Sequence, residues 1–386
     1  MCPCPHENVN NYPKIRKMER RDQITFDAVR ISTKAMNALF ENKFNSELIL
    51  ISPPGSSGAR VSIFKSADTE FLYAVKCARD TRISLSDEVR KRDILAKYIP
   101  SHLPEILWTG DVEGFETIIS ECNGVHTLHN LIINGDLPHD QLLSIWEDAV
   151  SSFITVWKNS KTFPFNKDLC PRDFSKRIER IAKGLYEKTI MDVKLSNIWD
   201  KNIYVNGEEY PSIAQMLENI SNIGTPSFGV TCHGDPQPSN IIVGREANKS
   251  WYCVDWEWSG PNHDWRMMAS HLYGWWFTRC ITLKERPLIS VTNRGVELNY
   301  HAFLPNHFQS YPQSAFQLLE KTFGENLDEG ARRDINKYLA ALYLGDLRFL
   351  GIWNREVFAV PLLAQGVITA NRSVSNLDNS VFDFSI

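Results

Sequence analysis

The hydrophobic pattern changes character near residue 122. From Ser46 onward, apolar positions come in short runs divided by turn residues, as strands do. These runs are ELILISPP, ARVSIFKS, FLYAVKCA, EILWTGDV and ETIISEC, with GSSG and ADTE between the first three. A helix interrupts them at Ser84 to Ile99, where Ser84 or Ser86 can cap, acidic residues fill the first turn and basic ones follow. After the Asn123-Gly124 turn, helical periodicity takes over at 138–159, 172–188, 211–222, 264–278 and 333–350. The expected fold class is therefore α+β in two lobes. Residues 1–45 form an N-terminal extension, 46–122 a small antiparallel-sheet N-lobe with one helix, and 123–386 a larger, mainly helical C-lobe.

One short strand pair breaks the helical half. Ile241-Ile242-Val243 and Trp251 to Val254 flank the polar turn GREANKS, within the longer runs TCHGDPQPSNIIV (231–243) and CVDWE (253–257). Asp235, Asn240 and Asp255 then follow one loop–strand–turn–strand path, with Asn240 and Asp255 at neighbouring strand ends. Phosphoryl transfer needs such a set: one carboxylate to orient the attacking hydroxyl, and an amide oxygen with a second carboxylate to hold magnesium on nucleotide phosphates. Asp235 is thus the candidate catalytic residue, and Asn240 and Asp255 are the candidate metal ligands. His233 is expected to brace the loop. Glu257, two residues past Asp255, could reach or support the metal. Asp264 opens a helix with apolar spacing at Trp265, Met268, Ala269, Leu272 and Trp276, so it either caps that helix or braces the catalytic loop.

In the N-lobe, Lys76 lies in the apolar run YAVKCA, where a buried ammonium needs a partner. Glu88 shares a helix face with Leu95 and Ile99 and is the first candidate; Asp87 is the second. A Lys–Glu pair of this kind holds the α- and β-phosphates in kinases. Ser56, Ser57 and Gly58, on the turn that begins at Gly55, offer hydroxyls and backbone amides to phosphate oxygens.

On the acceptor side, six of the eleven tryptophans fall between 251 and 276, and most are expected in the core. Trp256 and Trp258 flank the metal region and could stack on a sugar or a cation. Asp346 lies on the apolar face of the last strong helix and needs a partner, which could be Arg332, Arg348 or a cationic substrate.

Composition narrows the class without naming it. A net charge of −4 gives no reason to expect nucleic acid or an anionic membrane as partner. No run approaches the roughly eighteen apolar residues of a membrane span, and the opening residues are unlike a signal-peptide core. The eight cysteines lack paired spacing, so a reducing, cytoplasmic setting is expected. Cys2, Cys4 and His6 stand too close together for an ordinary zinc site and read as a frayed terminus, and the basic KIRKMERR stretch as a solvated helix face.

With HGDPQPSN, VDWE, AVK and the helix Glu in hand, residues 46–350 resemble the aminoglycoside phosphotransferase and choline kinase-like group, which has the protein-kinase-like fold. The resemblance implies a hinge near Glu121–Gly124, with Glu121 and Asn123 near a nucleotide, ATP or in some relatives GTP, together with Mg2+. It also implies Asp235 as catalytic Asp, Asn240 and Asp255 on magnesium, Lys76 on phosphates with Glu88 as its partner, and Asp264 in support of the catalytic loop. Pro236 departs from the Leu common in that group. The long segment 161–230 is expected to carry substrate-binding helices of its own, and the tail beyond 355 matches nothing in the pattern.

The expected activity is transfer of a nucleotide γ-phosphoryl group to a hydroxyl of a small polar molecule, with an aminoglycoside or related amino sugar first and a sugar, nucleoside or amino alcohol as the alternative. A protein kinase fits less well. No Asp-Phe-Gly or Ala-Pro-Glu follows Asp255, and a helix already begins at Trp265, leaving no activation segment. An inactive nucleotide-binding scaffold would have no need for all five of the Lys, Glu, Asp, Asn and Asp positions.

Overall fold

The computed structural model describes residues 29–41, 46–51, 59–67, 69, 71–79, 84–244, 250–351 and 355–374. Five strands, β1 (Ser46–Ile51), β2 (Arg60–Ser66), β3 (Leu72–Ala78), β4 (Ile106–Val112) and β5 (Phe115–Cys122), form one antiparallel sheet in the order β1-β2-β3-β5-β4. A helix at 29–39, α1, packs on it. Ile31, Ala35 and Met36 of α1 meet Phe64, Val75, Cys77 and Ile119 in a common buried cluster. Burying each large apolar side chain is worth roughly 1.5–3 kcal/mol, so α1, although it precedes residue 46, is part of this core. The β3 register sets Lys76 between Val61 and Ile118. The GSSG turn, with Ser56, Ser57 and Gly58, lies outside the described residues.

By contact, the chain divides into Met1–Ser86 with Pro104–Val125, and Asp87–Leu103 with His126–Ile386. Most of helix α2 (Leu85–Ala96) thus goes with the second unit, for identifiable reasons. Lys91 donates from its Nζ to the Glu257 carbonyl at 2.7 Å, and the His102 ring stacks on Trp251 with centroids 3.9 Å apart.

The second unit is mainly helical. It contains α3 (Leu128–Asn134), α4 (His139–Asn159), α5 (Phe174–Tyr186), α6 (Ile213–Ser221), α7 (Trp265–Cys280), α8 (Asn306–Phe323), α9 (Glu329–Asp346) and α10 (Ala359–Arg372). Every position of α7 except Arg279 is buried, so it is the central helix, with α8 and α9 against it and α10 behind α9. Glycines permit the close approach: a Cβ on Gly274 would come within 2.5 Å of Leu342, and one on Gly366 within 2.7 Å of Leu344. Segment 161–230 is not purely helical. Its hairpin Ile203–Val205/Glu208–Tyr210 joins Leu288–Val291 and Val296–Asn299 in a four-stranded sheet.

Two small ladders carry the HGD and DWE segments. Val230–Cys232 pairs antiparallel with Gly260–His263. Ile241–Val243 pairs with Trp251–Cys253 on one side and with β6 (His126–Thr127) on the other. No helix among the described residues is long and apolar enough to cross a membrane.

Candidate active site

The loop that carries Asp235 is fixed from both ends. His233 is buried and donates from Nε2 to the Val254 carbonyl at 2.8 Å, while its Nδ1 accepts from the Asp235 backbone N–H at 3.3 Å. Two opposite roles on one ring fix a neutral tautomer. Burial pushes its pKa down in the same direction. These two bonds tie the His233 ring to Val254 on one side and to the Asp235 backbone on the other. Gly234 is required: its φ is +84°, and a Cβ there would lie 2.1 Å from the Trp258 carbonyl oxygen.

Asp235 is the most heavily bonded carboxylate of the loop. Its Oδ2 accepts from Gln237 Nε2 at 2.7 Å and from Asn240 Nδ2 at 3.2 Å, and the Asn240 amide also reaches the Asp235 backbone carbonyl at 3.0 Å. Its Oδ1 accepts from His271 Nδ1 at 3.0 Å, with Arg172 Nη2 at 3.9 Å. Burial alone would raise this carboxyl, but the His271 hydrogen bond and the Arg172 charge outweigh it and hold it well below the usual carboxylate range. Asp235 is ionised at neutral pH.

His271 is neutral, because burial pushes its pKa down to about 4, against the pull of Asp235. Its tautomer follows from its neighbours. Arg172 Nη1 and Arg177 Nη1 stand 3.3 and 3.4 Å from Nε2, and guanidinium groups can only donate. Nε2 therefore accepts, and Nδ1–H donates to Asp235.

On the opposite side, the Asn240 amide spends its N–H donors on Asp235, which leaves Oδ1 as an acceptor. Val254 N–H bonds the Asn240 carbonyl at 3.0 Å, so Asn240 and the residue after Val254, Asp255, sit at adjoining strand ends. Asp255 has φ 66°, a left-handed conformation that costs a non-glycine residue on the order of 1 kcal/mol and recurs where side-chain placement matters. An amide oxygen and one carboxylate suit Mg2+, which takes one or two protein carboxylates and completes its shell with phosphates and water. No group of three or more His, Cys, Asp or Glu among the described residues could hold a metal by itself.

The remaining candidates fall where the packing puts them. Glu88 is buried, and Glu257 is buried with its carbonyl on Lys91. Asp87 pairs with Arg90 at 2.7 Å and Lys91 at 2.8 Å, so its carboxylate is spent on its own helix. Glu121 faces Tyr73 across β3 and β5, and Asn123 follows the strand on the exposed surface. Asp264 caps α7 through Arg266 N–H, and its carboxylate is taken up by the Arg266 guanidinium at 2.6 Å and the Tyr338 hydroxyl at 2.8 Å. It is an N-cap and a tie to α9 rather than a brace for the catalytic loop.

Trp256 cannot stack on a substrate, since it is buried with its Nε1–H on the Cys253 carbonyl at 3.0 Å. Trp258 is half-buried, with the Arg172 guanidinium 5.0 Å over its ring. Asp346 does not pair with Arg332, which bonds Glu320 at 2.9 Å. Burial pushes its pKa up to about 6, against the charges of Arg279 and Arg177.

Four residues of the site escaped the sequence reading: Gln237, His271, Arg172 and Arg177. His271 left a signal, as the most polar group in the run MMASHLYGWW of a buried helix, where an imidazole needs partners.

No family model matches the sequence, and no curated protein does. Among solved structures, the chain is similar to an aminoglycoside-3'-phosphotransferase of type VIII at 14% identity, covering 84% of this chain and 99% of that one with a TM-score of 0.45. It is similar to an ethanolamine kinase from Plasmodium vivax at 12% identity, covering 97% and 92% with a TM-score of 0.44. A choline kinase from Cryptosporidium parvum Iowa II matches at 14% identity, covering 92% and 94% with a TM-score of 0.42.

Proposed function

We propose that this chain is a small-molecule kinase that transfers the γ-phosphoryl group of ATP or GTP to a hydroxyl of a small polar acceptor. One observation carries the reading. The Asn240 amide donates to Asp235 from its N–H side, and strand pairing sets Asn240 one residue from the level of Asp255. This supports reading Asp235 as the catalytic carboxylate and Asn240 with Asp255 as the candidate magnesium ligands of one site.

The chemistry follows from Asp235. Oδ2 is filled by Gln237 and Asn240, whereas Oδ1 accepts one hydrogen bond and keeps a lone pair. That lone pair can accept from the acceptor O–H and aim its oxygen at the γ-phosphorus. As the new O–P bond forms and the bond to the β–γ bridging oxygen breaks, the hydroxyl proton passes to Asp235 and the nucleoside diphosphate leaves. So acidic a carboxyl is a weak base, which suits a loose transition state in which the proton moves late. Mg2+ held by Asn240 and Asp255 would neutralise charge on the phosphates. Lys76 and Glu88 remain the candidates for the α- and β-phosphates, and Ser56, Ser57, Gly58, Glu121 and Asn123 the further nucleotide-binding candidates that the sequence motifs assign.

Amino sugars, amino alcohols, sugars and nucleosides are the acceptor classes to screen. Binding of ATP and GTP should be measured by calorimetry with and without Mg2+, in wild type and Asp255→Ala. Wild type should gain about tenfold or more in affinity from the metal, and the variant should lose that gain. Metal-independent binding in both proteins would remove the magnesium site from the reading.

A further inference from the structure

The acceptor side of Asp235 is lined by cations. Arg172 ends α5's N-terminal approach and Arg177 lies one turn into the helix beyond the capping Asp173. Both guanidinium groups converge on a single neutral lone pair, His271 Nε2, at 3.3 and 3.4 Å. Arg172 has further company in Asp235 at 3.9 Å and the Trp258 ring at 5.0 Å. Arg177 has no carboxylate within 4 Å among the described residues; Asp346 and Asp235 act on it from farther away. Burial, and after it the neighbouring Arg172 charge, lower its pKa to about 10 against the pull of Asp346 and Asp235. Arg279, one of the charges that acts on Asp346, is the partly buried residue of the otherwise buried α7.

Two forked donors aimed at one imidazole nitrogen are poorly satisfied by the protein alone. A planar anion matches them, since a carboxylate or phosphate takes two parallel N–H bonds from a guanidinium. A polycation would be repelled: at intermediate dielectric each like charge within about 8 Å lowers affinity about tenfold. We infer that the acceptor is a hydroxylated anion, whose carboxylate or phosphate ester is held by Arg177 and Arg172 while its hydroxyl meets Asp235. This rests on the kinase reading and narrows its substrate class away from amino sugars.

Matched acceptors test it with the full-length protein. ADP release from Mg·ATP is measured with glycerol, glycerate and glycerol 3-phosphate; with glucose, gluconate and glucose 6-phosphate; and with the cations ethanolamine and streptomycin. The anionic member of a set should be preferred by about tenfold or more in kcat/KM. Glycerate against glycerol 3-phosphate, and gluconate against glucose 6-phosphate, separate carboxylate from phosphate. Arg177→Gln should cut kcat/KM for the anion by about tenfold or more, through KM, and so bring the ratio of anionic to neutral acceptor down by the same factor.

Preference for ethanolamine or streptomycin would overturn the inference and leave the kinase standing. So would an Arg177→Gln variant whose acceptor-free ATP hydrolysis falls as far as its acceptor turnover, because the arginines would then serve the transferred phosphoryl group. If nothing in the panel turns over, the same anions are titrated calorimetrically into Mg·ADP-loaded protein. Binding that Arg177→Gln abolishes supports the site, and no binding to wild type refutes it. Failure to bind Mg·ATP at all would instead count against the kinase reading.

Discussion

The two sides of Asp235 are built from opposite chemistry. Toward Asp255 the neighbours are oxygen acceptors, namely the free amide oxygen of Asn240 and a carboxylate at the adjoining strand end. Toward α5 and α7 they are N–H donors, with His271 on Oδ1 and Arg172 and Arg177 behind it. The first side suits a cation and the second an anion, which is the contrast that the proposed metal-borne phosphate and anionic acceptor would use. The difference also separates what is local in sequence from what is not. The oxygen side spans 235–255 and is written as one motif, whereas the donor side is assembled from residues 172, 177 and 271 on two helices.

Mutation should break the two sides differently. Asp255→Ala should lower turnover by about a thousandfold or more, and excess magnesium should restore little of it, since the proposed carboxylate ligand of the ion is removed. On the donor side, His271→Phe should lower kcat by about a hundredfold with nucleotide affinity retained, because Asp235 loses the bond that orients it. An equal loss of nucleotide binding in His271→Phe would mean that the two sides are not separable.

Gly234→Ala tests the backbone beneath both sides. The added Cβ would meet the Trp258 carbonyl in a left-handed conformation, so a destabilisation of ~3 kcal/mol is expected in urea titration. Stability within about 0.5 kcal/mol of wild type would show that the loop relaxes freely.

The smallest effect concerns pH. Burial holds His271 and His129 at about 4 and His263 at about 3, below the ordinary histidine value of about 6.5. Below pH ~6.5 the unfolded chain therefore binds protons that the fold refuses. Stability should be flat above that pH and should fall as pH drops toward 4, by on the order of 1–3 kcal/mol per histidine. His129, whose ring meets Trp275 edge-on with centroids 4.7 Å apart, is the simplest to remove. Melting of His129→Leu from pH 7 to 4.5 should show a shallower slope than wild type, and an unchanged slope would acquit this residue.

The sheet and the long helices were legible because apolar spacing of period 2 or 3.6 survives in them, as in β3 and α4. Helix α8 was hidden by its internal Pro312 and α10 by its position in a tail without motifs, though its buried face packs on α9. Trp256 and Trp258 look alike in sequence, and only packing separates a buried brace from a half-exposed ring. Asp264 was ambiguous for a similar reason: its partner Tyr338 is far along the chain. The metal-side candidates needed no such long-range knowledge, because strand pairing alone brings Asn240 beside Asp255.

The central claim is that Asp235 is the catalytic carboxylate of a kinase acting on a small hydroxylated molecule. Acceptor-stimulated ADP release should be measured for wild type and Asp235→Asn, beside Mg·ATP affinity for both. The Asn side chain keeps the shape and can still accept from His271, but it cannot take the proton. The account predicts that turnover falls by about a thousandfold or more while Mg·ATP affinity stays within about threefold. Turnover near wild type in Asp235→Asn would contradict it and send the search for the catalytic residue elsewhere.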